Sequence, residues 1–296
     1  MKITVSCIIM LFASVTAELT ACAGEPPPFL CEILPGGTHF HDGNPFKGTA
    51  FALTETALFA GGLALKSRRD DEYNVPLLLS GQIYTIDKCD YSRQRLAAYL
   101  ANNYPHGAVT CDISPLGELM TAPFGKDTIL SPFVITWALL GIVDGIIAYP
   151  DREGKWNDIG SVRLFERDMS RSRGTVAYGI SGGTLSWGAA VSEEMLFRGL
   201  FLPALDSRYG RRAGLVSSSL VFGALHLFNS GIDRPVYFFG QATVAGFVFG
   251  RHVQKNDYRL KKAIAAHFWY NAVSMATTWA LNPEENPLGF GISMAF

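Results

Sequence analysis

Charge is what this sequence is short of. Of its 296 residues, 17% are Asp, Glu, Lys or Arg, against about 25% in an average soluble chain. Neither sign dominates: the formal net charge is −1 and the pI about 6.6, so no overall positive field exists to attract nucleic acid. No zinc-finger spacing, P-loop, GxGxxG or HExxH is present, which removes the commonest metal-finger, nucleotide and zincin readings. No repeat of 20–50 residues is visible either, which argues against a solenoid and against an obviously duplicated transporter. The five cysteines form no disulfide framework, and Cys89 and Cys111 read as unpaired thiols.

What charge there is avoids certain stretches. The windows 49–65, 128–149, 174–192, 213–230, 235–250 and 263–281 together hold 111 residues, of which only Glu55 and Asp144 are charged. The remainder has an ordinary soluble density. Apolar runs of about 17–25 residues suit a hydrocarbon layer of ~30 Å, and no alternating ten-residue strands suggest a barrel. The expected fold is therefore all-α: a polytopic transmembrane helical bundle of about six spans, plus an N-terminal signal or anchor helix. The run 75–86 has 12 residues, too few to span, and reads as an interfacial or buried half-helix.

Residues 1–22 look like a signal peptide: Lys2, an apolar stretch, then small residues. Leu19-Thr20-Ala21-Cys22 also resembles a bacterial lipoprotein box, and an uncleaved first helix is the alternative. The expected division is 1–22 signal, 23–127 an N-terminal region with one membrane helix, 128–285 the main transmembrane domain, and 286–296 a short tail. With residue 23 delivered outside, inner stretches carry fifteen Lys and Arg and outer stretches eight, as the positive-inside rule prefers. That count puts Lys47 outside and Lys88, Arg93 and Arg95 inside. The implied localisation is an integral protein of a bacterial inner membrane, with the lipid bilayer as a partner and nucleic acid excluded.

Ionisable groups in apolar helices are functional candidates by default, and three places stand out. In Ser192-Glu193-Glu194-Met195-Leu196-Phe197-Arg198, Glu194 and Arg198 are four apart and share a face. Glu193 is rotated by about 100° and is left to face something else. In Phe222-Gly223-Ala224-Leu225-His226, the ring of Phe222 can shield or orient the His226 imidazole. In His267-Phe268-Trp269-Tyr270-Asn271, an imidazole and a carboxamide are aimed at one point. Glycines 182, 183 and 188 would allow close helix approach, and Asp144 and Glu55 read as interior hydrogen-bonders. A desolvated carboxylate can act as general base toward water, one histidine can help hold that water, and a histidine with an asparagine can stabilise an oxyanion. The same Glu193, His226 and His267 could instead bind zinc with a water, and spacing does not decide between the two.

EEMLFR, FGALH and HFWYN, in that order, resemble the EExxxR, FxxxH and HxxxN pattern of the CPBP intramembrane proteases, which include the CAAX prenyl endopeptidases and bacteriocin-processing or immunity homologues. The resemblance covers about residues 174–281. It implies an intramembrane endopeptidase in which Glu193 activates water with His226, and His267 and Asn271 form the oxyanion site. Glu194 and Arg198 would be the supporting pair. It favours a glutamate-type mechanism without a cofactor, leaving zinc on Glu193, His226 and His267 as the alternative. The implied partner is a membrane-associated peptide or protein substrate. A catalytically inactive scaffold or immunity protein of the same fold is the rival reading.

Overall fold

The computed structural model describes residues 29–66, 75–104, 109–148, 160–164, 167–228 and 235–281; the expected signal and lipoprotein box at 1–22 and the tail at 286–296 lie outside them. Nearly all of the described chain is helical. Two short helices, α1 (Phe29–Ile33) and α2 (Gly37–His41), precede the long α3 (Pro45–Lys66) and α4 (Val75–Asn103). A braced segment follows, with α5 (Leu116–Met120), a 3₁₀ turn (Ala122–Phe124) and α6 (Lys126–Ile129), leading into α7 (Pro132–Ala148). The antiparallel hairpin of β1 (Ser161–Leu164) and β2 (Arg167–Ser170), which pairs Val162 with Met169, was not foreseen in the sequence. The remainder is α8 (Arg171–Leu196), a π-helical turn (Phe197–Phe201), α9 (Leu202–Tyr209), α10 (Arg211–Leu225), α11 (Pro235–Lys255) and α12 (Lys261–Leu281).

Local sequence accounts for several boundaries. Helix α7 starts where Ser131 accepts the Val134 N–H on its Oγ at 3.3 Å and Pro132 takes the first helical position, where its missing donor is harmless. Between α9 and α10 the chain turns at Gly210, at φ +84°, which glycine adopts without a Cβ penalty. Between α11 and α12, Asp257 and Tyr258 both take positive φ. The surroundings hold them there: the buried Tyr258 hydroxyl donates to Asp206 Oδ2 at 2.6 Å, and the Tyr258 N–H donates to the Val253 carbonyl at 2.9 Å.

Helix α4 corrects one expectation. The run 75–86 is not a separate half-helix but the first part of a 29-residue helix. Its second half is charged yet buried, which ion pairing makes tolerable. Arg93 donates to Asp90 Oδ1 at 2.6 Å and to the carbonyls of Asp112 and Ser114. Lys47 reaches Asp90 from the start of α3, and His39 Nε2 lies 3.1 Å from Asp87. The start of α3 therefore sits beside the second half of α4. Lys47 and the group Lys88, Arg93 and Arg95 occupy one end of the bundle, not opposite ends as the charge count had them. A polar pocket of about 420 Å³ opens here, lined by His39, Asp42, Asn44, Lys47, Tyr91 and Gln94.

The tightest helix pair is α7 on α12. Gly141 and Gly145, one turn apart, make it so: a Cβ on Gly141 would come 2.5 Å from the Tyr270 carbonyl, and one on Gly145 2.7 Å from that of Ser274. Of the glycines the sequence pointed to, Gly188 does press on a neighbour, Gln82, whereas nothing lies near Gly183. Helix α11 packs on α10 and touches α12 only sparingly. Among the described residues no helix is long and apolar enough to cross a membrane, so the six expected spans are not established as such. Cys31, Cys89 and Cys111 are free thiols.

Candidate active site

The last turn of α8 carries Glu193 and Glu194, 4% and 1% exposed. The helix then widens into the π turn at Phe197–Phe201. Pro203 has no N–H to give to the Gly199 carbonyl, and Cys111 donates there from Sγ instead, at 3.0 Å. The Phe197 carbonyl accepts the Leu202 N–H, which closes the π turn, and also Ser218 Oγ at 3.3 Å. Single π turns inside α-helices recur at functional sites.

Arg198 lies within this turn and is 1% exposed. Its guanidinium donates to Glu194 Oε1 at 3.1 Å and sits 4.2 Å above the Phe222 ring centre, with Phe249 and Phe197 within 6 Å. A weakly hydrated planar cation against aromatic faces is well suited to such a dry position.

His267 binds the other side of the same carboxylate. Its Nδ1 donates to Glu194 Oε1 at 2.9 Å, and its Nε2 lies 3.7 Å from Glu193 Oε2. Two adjacent buried carboxylates thus share one imidazole: Glu194 is fixed by both Arg198 and His267, while Glu193 Oε2 and Glu194 Oε2 accept no hydrogen bond. A proton between Nε2 and Glu193, held on the imidazolium or on the carboxyl, makes that close approach favourable.

His226 ends α10. Its Nδ1 lies 2.8 Å from the Phe222 carbonyl; a carbonyl only accepts, so Nδ1 carries the proton and Nε2 presents a lone pair. Phe222 meets His226 edge-on at 4.7 Å and His267 at 6.5 Å. Strict alternation of spans would set the two histidines at opposite depths, yet one ring touches both. Asn271 follows His267 by one turn of α12, is 8% exposed, and its carboxamide makes no hydrogen bond to a described residue. All seven residues chosen from the sequence therefore belong to one neighbourhood of α8, α10, α12 and the π turn.

Among the described residues no three His, Cys, Asp or Glu side chains are arranged to hold a metal ion; His267 commits Nδ1 to Glu194 and leaves Nε2 toward Glu193, an arrangement that serves an activated water and a metal-bound imidazole alike. Asp144, expected as an interior hydrogen-bonder, accepts from Gln241 Nε2 at 2.8 Å and from Ser274 Oγ at 3.1 Å. Gln241, Tyr270 and Ser274 were not singled out in the sequence. As uncharged polar residues they carried no signal beyond Tyr270 and Ser274 continuing the His267 face. Glu55, by contrast, is 2% exposed with both carboxylate oxygens unpaired.

Residues 178–273 match the family described as type II CAAX prenyl endopeptidase Rce1-like. That stretch takes in all three motifs and bears out the resemblance to the CPBP and CAAX proteases drawn from them. No curated protein and no solved structure matches the chain.

Proposed function

We propose that the Rce1-like domain is an intramembrane endopeptidase that hydrolyses a peptide bond near the membrane with water activated by Glu193. In this reading Glu193 takes a proton from water as the oxygen attacks the carbonyl carbon, and His226 accepts the water's other hydrogen through its bare Nε2. The oxyanion is met by the Asn271 amide and by His267 Nε2–H. Protonation of His267 is compatible with Nδ1 being held by Glu194. Glu193 then returns the proton to the departing amine as the carbon–nitrogen bond breaks. The observation that carries this is the unequal treatment of two neighbouring carboxylates: Glu194 is pinned through Oε1 by both Arg198 and His267, whereas Glu193 has only the 3.7 Å approach of His267 Nε2 to its Oε2.

Membrane embedding is part of the same proposal. It is supported by aliphatic side chains turned outward along several helices, among them Leu139, Val143 and Ile147 on α7, Val176 and Ile180 on α8, and Val244 on α11. Carboxylates and an arginine lie inside while leucines and valines face out, an arrangement suited to an apolar solvent.

The test compares cells carrying wild-type and Glu193→Ala protein. The variant is expected to fold and accumulate normally while an uncut peptide or protein builds up in its membranes. Identical membrane-peptide profiles would rule out hydrolysis and favour the inactive scaffold or immunity reading.

A further inference from the structure

Beyond Glu193 and its partners, a second polar row crosses the bundle. Gln241 of α11 donates through Nε2 to Asp144 Oδ1 on α7 and to the Tyr270 hydroxyl on α12, both at 2.8 Å. Ser274 donates to Asp144 Oδ2 at 3.1 Å. On α12 the positions 267, 270, 271 and 274 fall within about 100° of one another, so this row continues the face that carries His267 and Asn271. It lies roughly one turn, about 5 Å, further along the helix.

Two features set the row apart from a simple tie between helices. All four side chains are only half-buried, whereas a network serving packing alone in apolar surroundings would be sealed. Gln241 also spans a place where α11 and α12 scarcely meet directly. With both acceptors on its Nε2 side, its amide is held with Oε1 turned away, and that oxygen accepts nothing among the described residues. A fixed, unused acceptor beside a gap between two helices is what an extended peptide needs in a dry site, since its main-chain N–H groups must find partners there.

We propose that Asp144, Gln241, Tyr270 and Ser274 form a main-chain-binding subsite for an extended peptide entering between α11 and α12. Gln241 Oε1 accepts a peptide N–H, and the other three hold the amide in place. At about 3.3 Å per extended residue, the bonded N–H lies about two residues from the bond that is cut. Gln241 is thus a substrate-positioning residue, and the assignment rests on the proteolytic reading above.

The test uses full-length Glu193→Ala protein in detergent micelles and a fluorescein-labelled ten-residue peptide of Leu and Ala with terminal lysines. Each amide is replaced in turn by an ester, which removes one N–H and keeps the chain's shape. Fluorescence anisotropy is expected to find one position at which the ester weakens binding about fivefold, as loss of a single neutral hydrogen bond would, with less than twofold elsewhere. In Gln241→Leu the parent peptide binds about fivefold more weakly, and the ester at that position has no further effect. Equal binding by Gln241→Leu, an ester effect unchanged by it, or a probe that does not bind overturns the subsite. The scan against protein with Gln241 intact guards against misfolding of the variant, since a flat profile there overturns the subsite without it. Cleavage of the same peptide by protein with Glu193 intact is read separately. Gln241-dependent binding without cleavage upholds the subsite and removes the hydrolytic reading.

Discussion

Arg198 is the residue on which the others depend. It neutralises Glu194, whose other partner is His267, and it is enclosed by Phe222, Phe197 and Phe249. Removing one member of a buried pair leaves a charge uncompensated, which costs about 3–5 kcal/mol, whereas removing both is often far less harmful. Arg198→Met is therefore expected to lower thermal stability markedly in detergent, as followed by circular dichroism. Glu194→Leu/Arg198→Met should regain part of that loss and still hydrolyse poorly, because His267 is then no longer held at Nδ1. A double variant as unstable as Arg198→Met alone would show that the pair does not account for the stability. The i, i+4 spacing made the Glu194–Arg198 contact legible in the sequence. The His267 contact was not, because 73 positions separate it from Glu194 and only the packing of α12 on α8 brings them together.

At the scale of elements, the site depends on how closely α12 can lie on α7. Neither Gly141 nor Gly145 has room for a methyl group: main-chain atoms of Tyr270 and Ser274 stand in the way at Gly141, and the Ser274 carbonyl with the Thr277 side chain at Gly145. Overpacking of this sort costs about 1–3 kcal/mol. Gly141→Ala and Gly145→Ala are accordingly expected to destabilise to a similar degree. Their effects on turnover should differ. Gly141 presses on Tyr270, beside Asn271, and a shift of about 1 Å there can reduce rate by up to a hundredfold; Gly145 acts a turn further away and should cost much less. Equal activity losses would disconnect helix spacing from the site. Five of the windows correspond to α3, α8, α10, α11 and α12, and the sixth to α6 with α7. Charge density accordingly located the helices well. It cut α4 short because Asp87, Lys88, Asp90, Arg93 and Arg95 look like a solvated loop until their partners are known.

For the whole molecule, that shortened helix explains the misplaced end. Reading 75–86 as a short separate piece, and not as the first half of a long helix, moves everything that precedes it to the wrong end of the bundle, which is why Lys47 was set opposite to Arg93 while the pairing of Arg93 with the Asp112 region, and of Asp112 with Leu260, places these at one end. The outward aliphatic residues lead to a prediction at this scale. Wild-type protein should remain with the membrane pellet after alkaline carbonate extraction. Leu139→Lys, near the middle of α7, should reduce the inserted fraction, since a lysine at a span's centre costs about 2.5–3.5 kcal/mol. Glu118→Lys, on an exposed polar position, should not. Release of the wild-type protein by carbonate would defeat the membrane assignment.

The segment between α4 and α7 has a consequence for how this protein can be divided. It lies outside the Rce1-like stretch, yet it is bonded into it at several points. Cys111 caps the Gly199 carbonyl, and Asp112 receives the Leu260 N–H. Trp187 and Trp269 donate to the carbonyls of Met120 and Pro123. The stretch that carries the motifs is thus not self-contained in its hydrogen bonding. Cut out or grafted elsewhere, it would keep every motif residue and lose the splint that sets α8 against α12, so modular shuffling of this protein has to carry residues 109–124 along.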